Sequence, residues 1–340
     1  MKTRENSNFD LLKIICIALI IGHHFIYDAK ILNLIDTSNI FYNFLYIGGK
    51  FGTAIFSIIT GYFMSERKFN WNKIIKLMLK IEIYSYLSII FFHFLLDFNI
   101  DKNNLVKSFI PILSNKYWFA TSYIILYFLI PYLNILIKNI SKEKYTNLLV
   151  ILTFLIVILP TIGLNYLSNN TTALIYYYLI GAYIKKYDIT LFKNNTFNLV
   201  SSIIVYILIL LSTNIINLLS NKYTFFYNKT YYFSQINSIP VVISGILLFI
   251  FISQIKIKPH KILNRISIAS LGIYLIHDNY FIKKYIFPRI FQIINNFSLN
   301  IIVSLMFIIM VIIICSIIDN FITIIIDKIL IKINNKKFKI

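Results

Sequence analysis

Long apolar runs alternate along this chain with short, lysine-rich polar breaks. Ten runs stand out, at residues 10–28, 42–65, 81–98, 118–137, 146–164, 172–184, 198–219, 238–255, 266–287 and 298–327. A hydrocarbon layer about 30 Å thick takes about 20 helical residues. The pattern therefore predicts an all-α integral membrane protein with about ten transmembrane helices. The sixth run is short but is completed by the stretch from Asn170 to Lys186, and the tenth is long enough that it must tilt, kink or emerge. The breaks hold at most about 15–20 residues, with no low-complexity linker and no clear internal repeat. Residues 1–340 then form a single transmembrane domain without a separate soluble domain, and any catalytic groups must come from the bundle itself.

Composition agrees. Only 14% of the 340 residues are charged and 58% are hydrophobic, against about a quarter charged in soluble domains; mean hydropathy is +0.75. The net charge of +20 would suit nucleic acid if it lay on one soluble face, but the lysines and arginines punctuate apolar runs. No nucleic-acid partner is expected; the partner of this surface is the lipid bilayer. With the N-terminus inside, 22 Lys and Arg residues fall in inner segments and nine in outer ones. The positive-inside rule then places both termini in the cytoplasm of a multi-pass protein of the cell membrane. Lys283, Lys284 and Arg289 are the exceptions on the outer side. No small-residue cleavage site follows Tyr27, so the first run reads as an uncleaved helix. Cys16 and Cys315 sit inside apolar runs and offer neither a disulfide framework nor metal-ligand spacing, so no metal is expected.

Against this apolar background the ionisable residues are informative, because a lipid-embedded titratable side chain is costly and usually faces a cavity. His24 lies deep in the first run, eleven residues after Lys13, and His277 lies deep in the ninth. At about 1.5 Å of rise per residue, the two stand roughly 20 Å and 17 Å above the inner surface, at comparable depth on two helices of the same direction. An imidazole titrates near neutrality and can take a proton from a hydroxyl; the alternative is a pair of packed histidines bonded to backbone or tyrosine groups. His23 and Asp278 adjoin these two. Side chains of adjacent helical residues point about 100° apart, which predicts that His277 and Asp278 do not share a face and that Asp278 orients another cavity group. Asp10 and Lys13, one turn apart, form either a local ion pair or the polar lining of a cytoplasmic entrance. Gly48, Gly49, Gly52, Ser57, Thr60 and Gly61 make a small-residue patch suited to close helix packing. The second run leads into Arg67, Lys68, Lys73, Lys76 and Lys80, with Trp71 among them. This basic segment suits anionic headgroups or the phosphates of a nucleotide cofactor, for which Arg67 offers a fork.

Taken in order, these features resemble the acyltransferase-3 family of membrane O-acyltransferases, and within it the surface-polysaccharide O-acetyltransferases of Gram-positive bacteria. Asn8 to Ile15 followed by Gly22-His23-His24 is similar to the family's basic residue–ten residues–His motif, with Lys13 where Arg is commoner. Gly49-Lys50-Phe51-Gly52 through Phe56 to Phe63 resembles the second-helix motif, with Thr60 where Ser is usual. Tyr117-Trp118-Phe119 with Tyr123, Tyr127 and Pro131 looks like the fourth-helix pattern, and Ser270 to His277 resembles the late motif ending in His. The resemblance implies acetyl-CoA as acyl donor, engaged from the cytoplasm, and a surface carbohydrate or its lipid-linked precursor as acceptor. It implies His24 and His277 as catalytic residues, Lys13, Arg67 and Lys68 as the groups holding acyl-CoA, and Asp10, His23, Trp118, Tyr123, Tyr274 and Asp278 as substrate contacts. Trp118, Tyr123 and Tyr274 would stack on sugar faces, although an interfacial aromatic belt accounts for such rings equally well.

Two other readings compete. A transporter or flippase for a polysaccharide precursor predicts paired Gly/Pro interruptions and repeats, whereas the six prolines lie mostly near the ends of runs. A membrane anchor for a separate enzyme would not need His24 or His277. The charge asymmetry carries its own test: a cysteine introduced at Lys73 should react with an impermeant maleimide only after the cells are opened, and labelling from outside would reverse the orientation.

Overall fold

The computed structural model describes residues 6–29, 31, 39–192, 194–295 and 300–337. Lys2, Arg4, Lys30, Lys193 and Lys339 of the charge tally lie outside the described residues. Everything regular in the described chain is helical: α1 Asn8–Asp28, α2 Ile40–Met64, α3 Trp71–Ser88, α4 Lys102–Phe109, α5 Trp118–Asn139, α6 Lys142–Thr153, α7 Asn170–Tyr187, α8 Asn195–Ser220, α9 Ile239–Gln254, α10 Lys261–Ile268, α11 Ser270–His277, α12 Phe287–Asn295 and α13 Asn300–Lys337. Wider π-helical turns continue α3 (Ile89–Leu95), follow α6 (Phe154–Ile158) and precede α12 (Ile282–Ile286). Polar residues in the breaks start the helices: the side chains of Asn39, Asn70, Asp101 and Ser141 each accept from a backbone N–H of the first turn, and Asn169 with Thr172 forms a capping box.

Seven described helices are long and apolar enough to cross a membrane: Asn8–Asp28, Ile40–Met64, Trp118–Asn139, Lys142–Thr161, Asn195–Ser220, Tyr232–Gln254 and Ile301–Lys328. They match seven of the ten runs, and the chain is an all-α integral membrane protein. The other three runs depart from simple spans for separate reasons. The third begins ten residues early, at Trp71, because Lys76 and Lys80 are helical residues that pair with Asp327 and Asp319 of α13. The sixth, α7, is a full helix of 18 residues whose tyrosines lower its hydropathy; Tyr177 donates to the Ile236 carbonyl (2.6 Å) and Tyr178 to Asn134 Oδ1 (2.6 Å). The ninth is interrupted at Ala269 and again after His277.

α1 and α2 form the centre. Leu12, Cys16, Ile17, Ile21 and Phe25 of α1 are buried, and α1 lies against α2, α9, α10, α11 and α13. The outward rows of α8 and α13, including Ile203, Ile207, Leu211, Ile309 and Ile313, are exposed apolar side chains suited to lipid. The small-residue patch sets the closest approaches. A Cβ on Gly61 would overlap the Tyr178 carbonyl of α7, and one on Gly181 would overlap the Ile58 carbonyl of α2. The two backbones touch reciprocally, as small residues allow in membranes, and neither carbonyl can retreat without moving its helix. Gly61→Leu should therefore destabilise the bundle by about 1–3 kcal/mol or more, read as a lower unfolding midpoint in detergent, while Gly245→Ala on α9, where an added Cβ meets only Ile55 at 3.7 Å, should leave the midpoint nearly unchanged.

Candidate active site

The break after His277 creates the site. Asn279 caps the turn locally, its Oδ1 accepting from the Phe281 N–H, while its Nδ2 donates to Ser88 Oγ (2.8 Å) and to the Tyr117 hydroxyl (3.0 Å). Such side-chain bonds compete with helical continuation, and α11 stops at His277 with Asp278 in a non-helical conformation. The expectation that His277 and Asp278 point apart holds only for a continuous helix. Here both reach one atom: His24 Nδ1 lies 3.1 Å from His277 Nε2 and 3.3 Å from Asp278 Oδ1.

This arrangement sets the tautomers. His277 Nδ1 is 2.6 Å from the Ile273 carbonyl, which can only accept, so His277 carries its proton on Nδ1 and presents Nε2 as an acceptor. His24 Nδ1–H then donates toward His277 Nε2 and the Asp278 carboxylate. In a neutral His24 that leaves Nε2 unprotonated. Lys283, on the π turn before α12, donates to Asp278 Oδ1 at 2.9 Å and stands 4.0 Å from Asp28. A base with a lone pair on one side and an orienting carboxylate on the other is the geometry of general base catalysis.

Two cavities adjoin these residues. The larger, about 300 Å³, is lined by Lys13 and Arg67 at one end and by Thr60, Tyr123, Ser267 and Ser270 along its course. The smaller, about 30 Å³, contains His24 with His23, Lys50, Thr53 and Trp118. Ile20, Phe119 and Tyr274 line both and form the wall between them. Phe119 and Tyr274 meet edge to face with centroids 5.5 Å apart, and the Tyr274 ring centre lies 6.2 Å from that of His24.

The residues singled out from the sequence thus divide into groups. His24, His277 and Asp278 come together, with Tyr274 beside them. Lys13, Arg67 and Tyr123 share the large cavity, whereas Lys68 is exposed and is not among the residues lining it. His23 is turned away from His277; its Nδ1–H donates to the Tyr46 carbonyl and its ring stacks on Tyr27. Asp10 is buried in the first turn of α1, where Asn264 Nδ2 donates to it at 3.2 Å. Trp118 lies in the small cavity under Lys50, whose ammonium sits 4.3 Å from the indole centre. Lys50 and Lys283 are site residues that the sequence patterns leave unassigned. The available signal for Lys50 was a lysine embedded in an apolar run; the position of Lys283 depends on the turn after His277, which hydropathy does not report.

Compared with known proteins, the chain matches the acyltransferase domain of the acyltransferase-3 family over residues 6–319. No curated protein and no solved structure matches it. The match runs through α1, both cavities and the turn that carries His277 and Asp278, ending on α13. The chain belongs to the acyltransferase-3 family and is a multi-pass membrane acyltransferase.

Proposed function

We propose that this protein is an O-acetyltransferase of the cell membrane, taking an acetyl group from cytoplasmic acetyl-CoA to a hydroxyl of a surface polysaccharide or its lipid-linked precursor, as in Gram-positive bacteria. The observation that carries the reading is His24: its Nδ1 is held by His277 and Asp278, and its chamber backs onto a cavity reaching Lys13 and Arg67. The charge asymmetry supports a cytoplasmic position for both termini and for Lys13 and Arg67. The large cavity has the size of a small-ligand site. Its two cations suit the phosphates of acetyl-CoA, Arg67 through its bidentate fork.

In this reading His24 Nε2 takes the proton of the acceptor hydroxyl as its oxygen attacks the thioester carbonyl carbon. The C–O bond forms and the carbonyl electron pair moves onto oxygen. On collapse the carbonyl re-forms, the C–S bond breaks and His24 returns the proton to the leaving sulfur. Asp278 stabilises the imidazolium in between, and His277 keeps the ring from rotating. Burial excludes the competing water. The 30 Å³ chamber holds a water or two, so the wall of Ile20, Phe119 and Tyr274 must yield for thioester and hydroxyl to meet. Trp118 and His23 line this chamber and are its proposed sugar contacts.

Two measurements check this. His24→Ala should reduce acetate on the envelope polysaccharide by about 10²–10⁴-fold in rate at equal membrane protein level; near-normal acetylation would return the chain to a transporter of the precursor. Arg67→Ala should weaken acetyl-CoA binding to the purified protein by about 1–3 kcal/mol, the worth of a charge-assisted contact. Unchanged affinity would leave this segment as a lipid-surface anchor.

A further inference from the structure

The chamber around His24 has a base but, so far, no group to receive the negative charge that its chemistry creates. Its polar lining is His23, His24, Lys50, Thr53, Trp118 and Tyr274. Three of their donors are committed. Thr53 Oγ1 donates to the Gly49 carbonyl at 2.8 Å. His23 spends its Nδ1–H on the Tyr46 carbonyl and offers only an acceptor at Nε2. His24 spends its Nδ1–H on His277 and Asp278. Trp118 and Tyr274 are neutral. Lys50 alone brings a full positive charge.

Lys50 differs from the lysines of the bundle that other polar groups hold; Lys116, for one, donates to the hydroxyls of Ser85 and Ser108, and three more are paired with carboxylates. Lys80 is paired with Asp319, Lys76 with Asp327 and Lys283 with Asp278. Among the described residues Lys50 forms no ion pair; its ammonium lies over the face of Trp118, 4.3 Å from the ring centre, in the chamber it shares with His23 and His24. An aromatic face orients an ammonium without neutralising it. Keeping an uncompensated cation in an apolar span is costly, and such a cost points to a transient anion as the missing partner.

We propose that Lys50 is the electrophilic partner of His24: its ammonium faces the thioester oxygen and stabilises the oxyanion of the tetrahedral intermediate. The inference rests on the acetyl-transfer reading above. Trp118 is then a positioning residue, holding the ammonium over the chamber. Donors placed in advance at a dry site act on the transition state more than on the ground state. The effect should fall on kcat. The competing role, an anchor for a carboxylate or phosphate on the acceptor, would fall on the KM of the acceptor.

The test uses the purified full chain in lipid nanodiscs with acetyl-CoA as donor, following release of the CoA thiol. One arm has water as the sole acceptor and the other has envelope polysaccharide extracted from the host. Lys50→Met should lower kcat about 10²–10³-fold, the usual loss for one such donor, with both KM values within twofold. The fall should appear in whichever arm turns over, because water carries no anion to anchor. Lys50→Arg should recover activity to within about tenfold of wild type, and Lys50→Gln, a donor without charge, should fall between; each guards against misfolding of the methionine variant. Wild-type kcat in Lys50→Met, or a raised KM for polysaccharide with kcat unchanged, would overturn the inference alone. A wild-type protein that releases no CoA in either arm would overturn the acetyl-transfer reading and this inference with it.

Discussion

The imidazole of His24 cannot sit in a hydrocarbon layer by itself. Unmet polar groups in a membrane cost several kcal/mol each, so the ring must be given partners from other helices. His277 and Asp278 supply them at 3.1 and 3.3 Å, and much of the central architecture follows. α11 has to end where it does, so that two consecutive residues converge on one nitrogen. α1 has to be enclosed on nearly every side, which explains why it packs against six other helices, α12 included, while the outward rows of α8 and α13 face away. The need to bury one base dry, yet bonded, is a need to surround it with protein.

A second buried polar set stabilises the first from behind. Lys80 Nζ lies 2.8 and 3.0 Å from the two oxygens of Asp319, and the Tyr84 hydroxyl donates to the same carboxylate at 2.8 Å. Asp319 in turn presses on Gly272 of α11, where any Cβ would collide with its carboxylate. The triad therefore ties α3 and α13 to the helix that ends in His277. A buried ion pair contributes little net stability by itself. Its use here is register: it admits one placement of α11, and with it one placement of His277 relative to His24.

How much of this could be read from the residues alone depends on range. Hydropathy is local, and seven runs became the helices it implies. The Lys13 and His24 spacing is also local, as is the glycine patch around Gly61. What hydropathy could not contain is pairing between distant residues. Lys76 and Lys80 look like loop charges until Asp319 and Asp327, about 240–250 positions away, neutralise them. The ninth run looks continuous because Asp278 and Asn279 are flanked on both sides by apolar residues. Their effect comes from bonds to Ser88 and Tyr117 of other helices. Lys50 was visible as an oddity but could not be placed, because its significance lies in the carboxylate it lacks. Lys68, grouped with Arg67 by adjacency, is not among the residues that line the cavity.

The wall of Ile20, Phe119 and Tyr274 has a consequence apart from chemistry. In the proposed reading, an acyl-transfer site fed from the cytoplasm and emptied toward the cell surface would join two compartments held at different voltages. Each elementary charge crossing a membrane exchanges about 2.3 kcal/mol per 100 mV, so a continuous wet path beside His24 would short-circuit the cell. One aliphatic and two aromatic side chains, shared by both cavities, stand between them as an apolar barrier. The same three residues therefore bear on the energetics of the whole cell as well as on the turnover of one enzyme.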